Sequence, residues 1–442
     1  MTTWITQQFD RHVAERLGGL WLHRDFRKLW LSLTITHFGG QITFLALPLT
    51  AALLLNASPL EMGILTALEA LPFALFGVFA GVLVDRRPKL QLIIWSDIGR
   101  GVALLAVPIA AWTGTLSMPL LYAVGFLVGL GSIIGWPAYQ VFMTERVGRS
   151  NLVEANAKIG ISDSAAQLMG PGMAGALIQW LTAPVAILMD ALSFFYSAWI
   201  LRGIPPAESD APKLTARSVF AEIKEGLMLI WHNPTLRALA WAIALWQFLR
   251  HAYVAIVILF ATRELHFTAG HVGVLWMAAG VGAFVAAAIT VPLNRKLGMG
   301  RTMLLGMLGT GVAWMTVASS FGGIWMASLM FGGGLFLLDL TAMVFFINYL
   351  TLRQAVTPDR LLGRVVATMI GLTISTAPLG GLAGGWMAEH LGLRNTLLLV
   401  GAGAILLAPI VAWVSPLWQM HELPTAQDPV RTESLAEELA GE

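Results

Sequence analysis

The sequence predicts an all-α membrane protein, with twelve transmembrane helices in two pseudo-symmetric six-helix halves. Three observations predict it. First, 57% of the 442 residues are hydrophobic and only 12% are charged, with a mean hydropathy of +0.73. A soluble fold of this length needs far more charged surface. Second, 22 of the 27 Lys and Arg residues fall on alternate connecting segments. Third, the two halves of the chain echo each other at an offset near 210 residues.

Taken in order, residues 1–26 precede the first span. Ile5, Phe9, Val13 and Leu17 recur every four residues, with Arg11, Glu15 and Arg16 between them. That pattern fits either an amphipathic segment on the cytoplasmic membrane surface or a disordered lead. It lacks the long apolar core of a cleavable signal peptide. The first half, 27–202, holds spans near 27–55, 59–84, 90–112, 117–144, 152–181 and 183–202. Each is long enough to cross about 30 Å of hydrocarbon. A polar linker, 203–235, follows. The second half, 236–416, holds spans near 236–262, 269–293, 301–320, 323–352, 362–388 and 394–414, and 417–442 is an acidic cytoplasmic tail.

Orientation follows from the basic residues. With both ends inside, the outer turns carry only Arg263 and Arg394, so the positive-inside rule places both termini in the cytoplasm. An even number of spans is required by the same alternation. The expected location is the bacterial plasma (inner) membrane, with the lipid bilayer as partner.

The repeat is visible in the residues. Leu55, Gly63 and Leu65 recur as Leu265, Gly273 and Leu275; Asp85-Arg86-Arg87 after span two becomes Asn294-Arg295-Lys296 after span eight; and Gly170-Pro171 in span five answers Pro378–Gly385 in span eleven. Two parallel repeats of six spans are a transporter architecture.

Between spans two and three, Gly77–Lys89 ends an apolar run in a charged turn: Asp85, Arg86, Arg87 and Lys89. Gly77 and Gly81 share a helix face and can admit a close neighbour. The turn reads as a packing face with a positive-inside stop, or as an ion pairing that makes and breaks. Gly81-Val82-Leu83-Val84-Asp85-Arg86-Arg87-Pro88-Lys89 resembles the G-x-L-x-D-R-x-x-R/K loop of the major facilitator superfamily, with Arg87 and Pro88 where a glycine is usual. Phe26–Leu49, Leu152–Asn156 and Asp190–Phe194 are similar to the bacterial twelve-span drug:proton antiporters and enterobactin-type exporters. The resemblance implies a gating loop in which Asp85 and Arg86 latch the cytoplasmic side, with Asp97 and Arg100 of span three nearby. A latch of this kind, close to water, is worth about 1 kcal/mol per contact. Asn294 in place of the acid implies a weaker second latch.

Ionisable residues inside spans are costly and usually functional. Glu69 lies about 15 Å into span two at 1.5 Å per residue. A carboxylate at that depth is expensive to charge, so it can take and release a proton, or serve as a structural carboxyl bonded to a neighbouring helix. Asp163 is similarly deep in span five and shares a face with Asn156, Gly160 and Gln167, a polar stripe that lines a cavity or packs on a neighbour. Asp190 in span six and Asp339 in span ten are the candidate counter-charges for Arg250 in span seven, which needs an anion from the protein or the substrate. His37 and Gln41 lie one turn apart in span one. Lys158 is near enough to a helix end to snorkel.

The chain has no cysteine, no Walker loop, no G-x-S-x-G and no H-E-x-x-H, so neither a nucleotide-driven pump nor a hydrolase is expected. No cofactor, metal or nucleic-acid partner is expected either. The reading is a monomeric, non-enzymatic secondary transporter. It exports an amphipathic small molecule, drug-like or siderophore-like, in exchange for protons. The alternatives are a facilitator or importer of another solute, and a non-transporting receptor on the same scaffold.

Overall fold

The computed structural model describes residues 19–205, 219–358 and 361–420. Among them every regular element is helical, and twelve helices have span length. The first six are α1 (Arg24–Leu54), α2 (Pro59–Arg86), α3 (Lys89–Thr113), α4 (Met118–Val147), α5 (Leu152–Leu181) and α6 (Ala183–Arg202). A shorter helix, α7 (Val219–His232), precedes α8 (Pro234–Arg263), α9 (Ala269–Leu297), α10 (Met299–Ala318), α11 (Ile324–Ala355), α12 (Leu362–Leu391) and α13 (Leu393–Val414). Ten of the helices are both long and apolar enough to cross a membrane. The two exceptions are α10 and α5, and α5 carries the polar stripe read from the sequence.

The repeat is exact in five of the six helix starts, the fourth pair, Met118 and Ile324, being 206 residues apart. Arg24 and Pro234, Pro59 and Ala269, Lys89 and Met299, Leu152 and Leu362, and Ala183 and Leu393 are each 210 residues apart. Local chemistry sets these starts. Ser58 caps α2 in a reciprocal box with Glu61, and Pro59 occupies the first turn, where a missing N–H costs nothing. Interior prolines such as Pro72, Pro171 and Pro378 are carried within the helices, as is common where neighbouring helices satisfy the freed carbonyls.

The chain packs as two compact units. One holds the described residues up to 205 together with Ala261–Met277; the other holds 219–260 and 278–420. In the first, Leu29, Ile93, Tyr139, Phe142 and Leu201 belong to one apolar core. In the second, Leu239, Trp246, Met307, Phe345 and Leu407 do so. The two units share a packing device. A Cβ on Gly170 of α5 would lie 2.6 Å from Gln41 of α1, and one on Gly380 of α12 would lie 2.1 Å from the Phe248 carbonyl of α8. In each unit a glycine of the fifth span lets the first span approach.

Two features depart from the sequence reading. The segment read as a polar linker contains α7, which packs on α12: Arg364 Nη1 is 2.6 Å from Glu225 Oε2, and a Gly226 Cβ would lie 2.4 Å from Thr368 Oγ1. The close approach expected at Gly77 and Gly81 is also absent among the described residues. A Cβ on Gly77 would meet only Ile133 at an ordinary 3.7 Å, and one on Gly81 would meet nothing within 4 Å. Both glycines are exposed, so neither is required by packing in this conformation. The amphipathic segment before residue 19 and the tail beyond residue 420 lie outside the described residues.

Candidate functional site

The first unit gathers polar side chains at three places. In the first, α1 meets α5. His37 Nδ1 lies 3.2 Å from Asp163 Oδ1, close enough for charge attraction but not aligned as a hydrogen bond. Gln167, one turn along α5, donates to Asp163 Oδ2 at 2.8 Å. His37 also faces Trp136 of α4 at 6.0 Å between ring centroids, and Trp136 stacks on Tyr139. Asp163 keeps 44% of its side chain accessible, and Asn156, Gly160 and Gln167 are exposed. The stripe therefore offers an open polar surface with an imidazole beside a carboxylate. Gln41 sits against Gly170 rather than beside the acid.

In the second place, Glu69 of α2 lies against α4. A Cβ on Gly125 would lie 3.0 Å from Glu69 Cγ, and one on Gly129 would lie 2.4 Å from the Glu69 carbonyl. The glycines let the two helices close on the acid. Its carboxylate has no ion pair and no hydrogen bond among the described residues, and the side chain is only half-buried.

The third place is a buried network joining α1, α3 and α6. Asp97 pairs with Arg100 one turn on and accepts from Ser197. Ser197 in turn shares a 2.6 Å bond with Ser32. Asp190 accepts from Thr43 and from Ser193 at 3.0 Å. Arg100 stacks 4.2 Å above Phe194. Glycines make the room: a Cβ on Gly39 would strike Asp190 at 2.1 Å, and one on Gly131 would strike Arg100 at 2.5 Å. Asp97 and Arg100 were expected beside the gating loop. They pair with each other on α3, and their further partners Ser197 and Phe194 lie on α6.

Around the loop itself, Arg86 is exposed and Lys89 is buried at the start of α3; the side chain of Asp85 lies outside the described set. Lys158 pairs with Glu154 at 3.3 Å and lies over Trp21, so it is held at the helix end. A cavity of about 130 Å³ at that end, bordered by Arg24, Asp25 and Arg146, is remote in sequence from the mid-span acids, and its Arg146 is already paired with Asp25.

In the second unit, Arg250 and Asp339 are within electrostatic reach of each other but not within 4 Å. Asp190, the other candidate counter-charge, is committed to Thr43 and Ser193.

The sequence reading missed Ser32, Thr43, Ser193 and Ser197. The signal was present: Asp190, Ser193 and Ser197 fall at i, i+3 and i+7, which is one helix face. No group of acids and histidines among the described residues is arranged to hold a metal ion.

Comparison with known proteins adds the family. A family model described as a transmembrane secretion effector matches residues 21–442. An uncharacterized MFS-type transporter of Sinorhizobium fredii is 28% identical over 420 residues, 93% of this chain and 98% of its own length. The multidrug efflux pump Tap of Mycolicibacterium fortuitum is 26% identical over 406 residues, 88% of this chain and 95% of its own. Among solved structures, a crystal structure of the nucleoside transporter NupG matches with a TM-score of 0.75 at 10% identity, over 88% of this chain and 99% of that one. That likeness is one of fold.

Proposed function

The chain belongs to the transmembrane secretion effector family of the major facilitator superfamily, a multi-pass membrane transporter and not an enzyme, and from that premise we propose that it exports an amphipathic small molecule in exchange for protons. The observation that carries the proposal is Glu69: a carboxylate about 15 Å along a spanning helix, with no protein partner among the described residues. A structural carboxyl would be bonded to a neighbouring helix. An unpartnered one at that depth suits a group that is charged in one state and neutral in another.

Export is supported by the relative Tap, a multidrug efflux pump. A drug-like substrate fits that likeness, and a siderophore-like one remains the second member of the class. The His37–Asp163 pair, 3.2 Å apart, offers a second imidazole–carboxylate site on the same unit. In the proposed cycle, a deprotonated acid favours bound substrate and a protonated one favours release, so proton and substrate exchange by competition. Asp85 and Arg86 are the proposed cytoplasmic latch. The proposed setting is the bacterial inner membrane, with the protein acting as a monomer.

The test is transport in proteoliposomes with an imposed pH gradient, using norfloxacin, an amphipathic drug that carries both a carboxylate and an amine, as the probe. The expected result is uptake that collapses when the gradient is removed by an uncoupler. Uptake unchanged by the uncoupler rules out proton exchange.

The topology has its own check. Reporters fused after Arg87, within residues 203–235 and after Glu442 are expected to report cytoplasm, and one after Glu264 the outside. One reversed reporter among the four overturns the orientation.

A further inference from the structure

We propose that Arg250 anchors an anionic group of the transported molecule, so that the substrate class is amphipathic compounds carrying a carboxylate or a comparable oxyanion. The inference rests on the transporter reading and names the chemistry its substrate must have.

The first argument is charge. Arg250 lies about 24 Å from the start of α8 and about 20 Å from its end, near mid-span. A guanidinium does not give up its proton there, because its affinity for it is too high. Such a charge within a membrane span faces a polar path or a counter-ion. Among the described residues Arg250 has no hydrogen bond and no carboxylate within 4 Å; its one close neighbour of note is the face of Trp246, 5.9 Å away. Asp339 is within electrostatic reach without touching it. The counter-charge is thus present but leaves the guanidinium fork open.

The second argument is direction. Helix α12 packs on the Ala244, Phe248 and Ala252 face of α8. Thr376 donates to the Ala244 carbonyl, and Gly380 and Gly384 abut the backbone of Phe248 and Ala252. At 100° per residue, Arg250 lies more than 100° from each of those positions. The exposed apolar Trp241 and Leu245 are likewise on the far side. Arg250 is exposed, and Gln247 and His251 flank it. That polar face repeats one in the first unit. At the 210-residue offset, Gln247 and His251 stand where His37 and Gln41 stand on α1, with the order reversed. The His37 side is the one that meets exposed Asp163.

The third argument is the company of unsatisfied donors. Trp246 Nε1 and Tyr253 Oη are buried with no hydrogen-bond acceptor among the described residues. Asp339 accepts no hydrogen bond there either, although Tyr253 is within its electrostatic reach. Native proteins seldom leave several buried polar atoms unpaired in one place. A guanidinium and two N–H or O–H donors match the lone pairs of an oxyanion, and the guanidinium can take a carboxylate bidentately. Trp246 itself is packed in the apolar core against Phe345 and Trp314, which fixes the position of its N–H beside the guanidinium. Asp339 then balances Arg250 in the empty state and is replaced by the ligand's own anion when it binds.

The test uses three isosteric probes on protein purified in a neutral maltoside detergent: tritiated 1-naphthaleneacetate, its neutral amide and the cationic 1-naphthylmethylamine. Binding is read by scintillation proximity. The wild type is expected to hold the carboxylate at least tenfold more tightly than the amide and to prefer it to the amine. Arg250→Gln should bring the carboxylate to the level of the amide and leave the amide unchanged. Arg250→Lys, which keeps the charge and loses the fork, should fall between. If Arg250→Gln does not elute as a single species, Arg250→Lys and the wild-type preference carry the test. Equal binding of carboxylate and amide by the wild type, no binding of the carboxylate, or a preference that survives Arg250→Gln overturns the proposal. None of these outcomes bears on whether uptake follows a pH gradient, so the transporter reading stands or falls separately.

Discussion

Glu69→Gln abolishes gradient-driven accumulation while probe binding stays measurable: this is the expected result with the largest functional effect. Gln keeps the shape of Glu and removes the exchangeable proton. The side chain rests on Gly125, and its backbone closes on Gly129, so an isosteric change disturbs neither contact. No ion pair is broken, because none is made among the described residues. Folding should therefore survive, unlike the case of a buried pair that loses one member. If the proton on Glu69 couples the fluxes, accumulation against a gradient in proteoliposomes should fall at least tenfold, while equilibrium binding of norfloxacin should weaken, stay measurable and lose its dependence on pH. Glu69→Asp, which keeps the proton on a shorter arm, should retain part of the activity. An active Glu69→Gln removes Glu69 from the mechanism and leaves the His37–Asp163 pair as the candidate.

The spans were legible because a membrane helix must be apolar along about 20 residues, whatever its neighbours are. The offset of 210 was legible for the same reason, since span starts follow capping and turn residues such as Ser58-Pro59. Depth was legible as well: counting residues from a helix end places Glu69, Asp163 and Arg250 near mid-span. Partners were not. Asp163 meets His37, and Asp97 meets Ser197, across stretches of more than 90 residues. Spacing along one helix fixes a face but not the helix that covers it. Asp97 and Arg100 were accordingly read with the loop that precedes them, whereas their hydroxyl partner lies on α6. Helix α7 was missed because Lys224 and Glu225 made the segment look like solvated linker. Its Ile230 is 3% exposed and belongs to the core of the second unit, and Glu225 is held by Arg364.

The second large effect concerns stability. Asp97 is 3% exposed, and Arg100, at 17% side-chain exposure, is its ion-pair partner. Arg100 is enclosed by Gly131 and Gly135 of α4 and by the ring of Phe194. Asp97→Ala would leave the guanidinium in that enclosure with its carboxylate gone. It would also take the acceptor from Ser197, which links α3 to Ser32 of α1. Removing one member of a buried pair costs about 3–5 kcal/mol, a large share of the roughly 5–15 kcal/mol that holds a domain folded. Asp97→Ala is expected to lower the midpoint of thermal unfolding in detergent, read by fluorescence-detected size exclusion, by about 5 °C or more. The double variant Asp97→Leu with Arg100→Met removes both charges and refills the volume, and it should recover most of the loss, because an apolar replacement of a buried pair is often neutral or better. The transport readout then separates structure from mechanism. If the pair only holds α1, α3 and α6 together, the double variant transports. If the double variant is stable and inactive, the pair takes part in the transport cycle itself. An Asp97→Ala protein that melts with the wild type would show that Arg100 finds another partner, and that the pair contributes little to the fold.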